Sequence, residues 1–110
     1  MTEINVNKIW FDHIKQGNKT IEGRLKKGKF QTFKKGDIIY FKNENKTIKV
    51  QIINIIEYKD FKTYLEKEGL KRTLPGINSI KKGIKVYRSF YTKEMENEYG
   101  VLAIEIQLIN

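Results

Sequence analysis

The chain contains no cysteine and only one proline, one histidine and one tryptophan among its 110 residues. The lack of cysteine excludes disulfides and thiolate metal sites. A single histidine, His13, excludes a His-rich zinc site and leaves any histidine-based triad dependent on one residue. No apolar run approaches the roughly 18 residues of a membrane span. Residues 1–20 lack the uninterrupted apolar stretch of a signal peptide. The expectation is a cytoplasmic or otherwise intracellular protein, not secreted and most simply a monomer. No membrane partner, metal or organic cofactor is indicated. The length suits one domain spanning residues 1–110, large enough to bury a core without staples.

Acidic residues are also scarce. Thirteen Asp and Glu face 22 Lys and Arg, a formal net charge of +9. Such a field favours polyanions, of which nucleic acid is the commonest. The excess is uneven, +7 over residues 1–50 against +2 over residues 51–110. The densest stretch, Lys15 to Lys35, holds eight cations and one acid, Glu22. A second, Lys71 to Arg88, holds six cations and no acid, and a short acidic run of Glu94, Glu96 and Glu98 follows it. Nineteen of the 22 cations are lysines, beside 17 isoleucines and nine asparagines. All three residues have AT-rich codons, so part of the basicity reflects composition. A solvated lysine surface is the plain alternative to a binding patch.

Hydrophobic spacing predicts a short strand at residues 2–6 and a helix from Lys8 to Gln16 closed by Gly17, with Ile9, Trp10, His13 and Ile14 on its inner face. Thr20 to Leu25 alternates, with Thr20, Glu22 and Arg24 on one side and Ile21 and Leu25 on the other. Ile38–Lys42 and Thr47–Tyr58 read as strands joined by a hairpin loop at Glu44-Asn45-Lys46, and the slip at Ile52-Ile53 predicts a bulge. Asp60 caps a helix to Glu68, Ser79 caps another to about Phe90 with Ile80, Ile84, Tyr87 and Tyr91 in phase, and Gly100 opens a last strand. The order is strand, helix, three strands, two helices, strand. That is an α+β arrangement around a small, partly closed β-barrel.

Four pieces in this order resemble the ASCH domain of the PUA-like superfamily. They are Trp10-x3-Ile14-x2-Gly17-x-Lys19-Thr20-Ile21-Glu22-x-Arg24, then Gly36-Asp37-x3-Phe41, then Tyr58-x2-Phe61 with Leu74-Pro75-Gly76, and finally Tyr99-Gly100-Val101-Leu102-Ala103-Ile104. The resemblance implies a barrel of about five or six strands with helices at its mouth, and a cleft beside the Lys19–Arg24 strand. It also implies RNA or a modified nucleotide as partner. One branch of the family consists of small amidohydrolases that remove the acetyl group from N4-acetylcytidine, and other members are reported to cleave RNA. In the amidohydrolase branch the motif reads Lys-Thr-Ile-Thr-x-Arg. Its catalytic lysine corresponds to Lys19, and its catalytic threonine falls where Glu22 stands. That branch also uses a glutamate further along, for which only Glu66 or Glu68 could serve here.

Lys19, Thr20, Glu22 and Arg24 are therefore the leading candidates. Two cations flanking a carboxylate can hold a phosphate or a base edge, the carboxylate accepting from an exocyclic amine and the guanidinium donating as a planar fork. If the protein is an enzyme, Lys19 and Glu22 are the reactive groups. A cross-strand salt bridge is the structural alternative. Trp10 either stacks on a base or packs in the core. His13 is a proton-transfer candidate or a plain surface histidine. Arg88 and Tyr99, with Tyr91, either reach the cleft or serve packing. Pro75-Gly76 forms a loop over the cleft or a turn before the next helix. Lys26, Lys27, Lys29, Lys34 and Lys35 make a basic rim suited to backbone contact rather than sequence reading. Phe30 and Phe33 anchor that loop.

Overall fold

A computed structural model describes residues 1–109; residue 110 of the expected domain lies outside the described residues. Five strands form one sheet in the order β1-β3-β4-β5-β2: β1 is Glu3–Asn5, β2 Ile21–Leu25, β3 Ile38–Asn43, β4 Lys46–Tyr58 and β5 Val101–Leu108. β1 runs parallel to β3, and the other three pairings are antiparallel. The sheet curls into a half-barrel whose edge strands, β1 and β2, approach each other across an open seam. Five helices complete the chain: α1 Lys8–Lys15, α2 Phe61–Glu68, α3 Leu70–Thr73, α4 Ile80–Arg88 and α5 Lys93–Tyr99. The α+β class and the partly closed barrel agree with the sequence pattern. Among the described residues, no helix is long and apolar enough to cross a membrane.

β5 organises the core because both its faces are covered. Leu102, Ile104 and Ile106 join Ile4, Phe41, Val50 and Ile52 inside the curl, where Phe11 and Ile14 of α1 plug the end. Val101 and Ala103 face the opposite way, onto Phe61, Tyr64 and Leu65 of α2 and Tyr87 of α4. Each of the Val, Leu, Ile and Phe side chains among them contributes roughly 1.5–3 kcal/mol on burial. The ladder between β4 and β5 shifts register between Ile52 and Asn54, at the slip in the hydrophobic alternation. The extra residue bends β4 around the curl.

Several local expectations need correction. The buried face of α1 is Phe11 and Ile14, while Ile9 is 56% exposed and Trp10 and His13 are half-buried. Ile9 stands five residues from Ile14, about 140° around a helix of 3.6 residues per turn, so the two do not share a face. α4 begins at the predicted Ser79 cap but buries Gly83 and Tyr87, with Ile80 and Ile84 only half-buried. Gly83 sets that face: a Cβ there would stand 2.8 Å from Leu65 Cδ1, so its absence lets α4 lie against α2. The rim segment contains a 3-10 turn, Gly28–Thr32. The acidic run forms α5, whose first turn carries Glu94 and Glu96 behind a Thr92 cap bonded to the Met95 amide at 3.1 Å.

Among the glycines, Gly23 in β2 makes the tightest approach. A Cβ there would lie 2.6 Å from the Tyr64 hydroxyl oxygen and 2.7 Å from its Cζ. Gly23→Ala is expected to destabilise the protein by about 1–3 kcal/mol through overpacking, read as a lower urea midpoint at unchanged m-value. A midpoint equal to wild type would show that α2 moves off the strand at no cost.

Candidate functional site

The seam between β1 and β2 lacks a backbone ladder and is bridged by side chains. Arg24 Nη2 donates to the Asn5 carbonyl at 3.0 Å, and Lys29 Nζ donates to the Glu3 carbonyl at 2.6 Å. Beside this bridge opens a cavity of about 150 Å³. Asn5 and Asn7 line one side, and Glu22, Gly23 and Arg24 of β2 the other. Trp10, Tyr87, Phe90 and Tyr91 supply aromatic walls.

Glu22 is 7% exposed and sits between two cations. Its Oε2 accepts from Arg24 Nε at 2.8 Å, and its Oε1 lies 3.3 Å from Lys19 Nζ. Lys19 is 2% exposed. Its ammonium also donates to the carbonyls of Thr73 at 2.5 Å and Ile21 at 2.7 Å. All three of its N–H donors therefore have an acceptor. The Trp10 ring centroid lies 5.8 Å from the same nitrogen. Gly17 sets this up: its positive φ of 81° ends α1 and turns the chain so that Lys19 points inward.

Burial pushes the Glu22 pKa up, but Lys19 and Arg24 outweigh it and hold the carboxyl below its ordinary 4.5. Burial lowers the Lys19 pKa, against the opposing pull of Glu22. For Arg24 burial acts downward too, but Glu22 raises its pKa overall. The triad is thus two cations and one anion, net positive, beside an aromatic cavity. Behind it the Tyr64 and Tyr87 hydroxyls are 3.0 Å apart, and burial raises both of their pKa values.

The ASCH domain profile matches residues 4–110 of the chain. The chain belongs to the ASCH domain family. That family is part of the PUA-like superfamily. Two solved structures are similar over nearly the full length of both partners. One is the crystal structure of hypothetical protein PH0355, 47% identical over 97% of each chain with a TM-score of 0.91. The other is the solution structure of protein PF0455 from Pyrococcus furiosus, 43% identical over 99% of this chain and 97% of that one, with a TM-score of 0.83. Among curated proteins, none matches the chain.

In this ASCH domain, Lys19, Glu22, Arg24 and Trp10 come together at the cavity, joined by Tyr91. Thr20 does not line it. Its side chain lies with Ile14, Gly17 and Ile106 at a different surface, because it precedes the regular strand. Arg88 is drawn away by an ion pair with the buried Glu96 at 3.0 Å. Tyr99 is on α5, where the Lys27 ammonium stands 5.2 Å from its ring centroid. His13 does not line the cavity and approaches Asn18 Nδ2 at 3.3 Å. Leu74 reaches the cavity, but Pro75 and Gly76 do not. None of the five rim lysines lines it; Lys26 pairs with Glu57 at 3.0 Å, and Lys34 and Lys35 are exposed. Glu68, one of the two acids considered from the amidohydrolase pattern, accepts from Tyr58 at 2.5 Å and pairs with Arg72, while Glu66 is exposed on α2.

The two basic stretches meet here: the Thr20 amide donates to the Arg72 carbonyl at 3.0 Å, and Lys19 reaches Thr73. Sequence reasoning missed Asn5, Asn7, Phe90 and the wall role of Tyr87. Phe90 carried one usable signal, an aromatic placed just past the end of a helix.

Glu22→Gln leaves buried Lys19 and half-buried Arg24 without their anion, so it is expected to cost about 3–5 kcal/mol at pH 7. The lowered Glu22 pKa fixes the sign of its pH dependence. Its stabilisation is complete above the ordinary 4.5 and fades as pH falls through the lower folded value. Urea titrations from pH 7 to pH 3 should show the gap between wild type and variant shrinking on the acid side. A gap constant across that range would exclude a charged Glu22.

Proposed function

We propose that this ASCH domain is a binding module for RNA or a modified nucleotide, and that it takes one base into the seam cavity. The observation carrying this reading is a carboxylate with unused acceptor capacity at an aromatic-walled opening. Each Glu22 oxygen has one protein donor, and a carboxylate oxygen carries two lone pairs. Glu22 can accept from a base amine or ring N–H, while Arg24, with five N–H donors, has some to spare for a carbonyl or phosphate. Trp10, Tyr91 and Phe90 offer faces for stacking. The net positive triad and the exposed lysines beyond the seam favour a phosphate-bearing ligand over a neutral nucleoside.

Hydrolysis of an N4-acylated cytidine, or cleavage of RNA, is the competing reading, with Lys19 and Glu22 as reactive groups. It asks more of the site. A nucleophilic or basic Lys19 must give up one of three hydrogen bonds and lose a proton beside Glu22. The amidohydrolase branch's threonine has no counterpart at position 22. Acetate release from N4-acetylcytidine that disappears in Lys19→Ala would favour that reading.

Phe90 gives the cleanest test because it is 54% exposed, so truncating it leaves the core intact. Phe90→Ala is expected to weaken binding of a single-stranded RNA oligonucleotide by about 1–3 kcal/mol, the range for loss of one base–aromatic stack. Wild-type affinity should also fall with added salt. Wild-type affinity in the variant, or indifference to salt, would overturn the base-in-cavity reading.

A further inference from the structure

The sequence places two basic stretches in the chain, and the seam uses mainly the first. Lys62 of α2 and Lys81 and Lys85 of α4 flank a shallow groove floored by Ile80 and Ile84. All three lysines are exposed. Among the described residues none of them forms an ion pair. Glu66 is the one acid in the groove, and Arg88 at its end is held by Glu96. In the rim, three of five lysines are engaged: Lys26 is paired with Glu57, Lys27 lies on Tyr99, and Lys29 is bonded to the Glu3 carbonyl, while Lys34 and Lys35 are exposed. Three exposed cations facing a single acid, Glu66, therefore sit on the α2–α4 face.

The helix dipole favours Lys85, in the last turn of α4, but not Lys81. Lys81 lies in the first turn of α4, and no acid stands there to complement the positive end of the helix dipole. Lys81 and Lys85 stand one turn apart, with a rise of about 6 Å between them. That is of the order of the spacing between successive phosphates of a single strand. α4 has two working faces. Tyr87 walls the seam cavity, and the lysine face lies across a helix about 10–12 Å thick.

We propose that Lys62, Lys81 and Lys85 form a phosphate track on which the backbone of a single-stranded polynucleotide lies while one of its bases occupies the seam cavity. The inference rests on the base-in-cavity reading and deepens it: the partner is an extended strand rather than a free nucleotide. Half-buried Ile80 and Ile84 form an apolar floor between the cations, against which sugars can pack.

The test compares a single-stranded RNA oligonucleotide with a nucleoside monophosphate across a salt series. One variant combines Lys62→Ala, Lys81→Ala and Lys85→Ala, all exposed helical positions where alanine is well tolerated. A control combines Lys15→Ala, Lys46→Ala and Lys49→Ala, which removes the same charge from exposed positions on α1 and β4. The track variant should lose about 2 from the salt slope for the oligonucleotide, at about 0.7 per phosphate contact on a single strand. At 0.15 M salt that lost slope is an affinity loss of about fifty-fold relative to 1 M. Monophosphate affinity should be unchanged, and the control should keep its slope.

An unchanged slope in the track variant overturns the inference, as it would if this face served an acidic protein. An equal loss in the control also overturns it, since the effect would then belong to the overall field. Failure of the base-in-cavity reading has a different signature. In that case Phe90→Ala binds like wild type while the track variant still loses its slope.

Discussion

One carboxylate holds three parts of this protein together. Glu22 faces Lys19 on one side and Arg24 on the other. Through Lys19 it anchors β2 to α3 at the Thr73 carbonyl, and through Arg24 it ties β2 to β1 at the Asn5 carbonyl. The half-barrel has no backbone ladder across that seam, so these side-chain bonds set its width. Stability alone is a weak reason for such an arrangement. Withdrawing charges from water costs several kcal/mol per ion, and well-packed apolar side chains often do as well. What sets this triad apart from a plain staple is that it opens on an aromatic cavity.

A second buried carboxylate makes the contrast. Glu96 is 1% exposed, accepts from the Phe61 amide at 2.6 Å and pairs with Arg88 at 3.0 Å and Lys93 at 3.4 Å. It does not line the seam cavity, and its partners belong to the helical layer or its immediate flanks. Its effect is to fix α5 against α2 and α4. That supports the stack of Phe61 on Tyr87 at 4.2 Å and on Tyr91 at 5.7 Å, behind the cavity wall. The two groups are chemically alike and both buried. Only the space in front of them separates a candidate site from a strut.

Much of this was legible along the chain. The alternation in residues 20–25 separates Glu22 and Arg24 from Ile21 and Leu25, as the cores require. The doubled isoleucine at 52 and 53 marks the register shift. Ser79 and Asp60 cap the helices that they precede. The inner face of α1 was harder to read. Eight residues offer apolar side chains on more than one face, and the barrel end selects Phe11 over Ile9. α5 was hidden because three glutamates in seven residues resemble a solvated run, although a threonine cap and first-turn acids are a helix start. Arg88 and Tyr99 were near the right chain segments but face other partners, which local spacing cannot reveal.

Sequence alone determined the family, the α+β class, the strand that carries the triad and the excess of positive charge. The family followed from the resemblance of its motifs; the rest follow from residue type and periodicity, which act locally and survive without knowledge of partners. Tertiary structure decided which carboxylate faces open space, which arginine remains at the seam, and that Asn5, Tyr87 and Phe90 converge there from distant parts of the chain. It also decided that Lys62, Lys81 and Lys85 come to line one groove between α2 and α4. Each of those outcomes depends on the curl of the sheet and on where α4 settles against α2 at Gly83. Curl and docking are set by packing volumes between elements, and no single stretch of sequence encodes them.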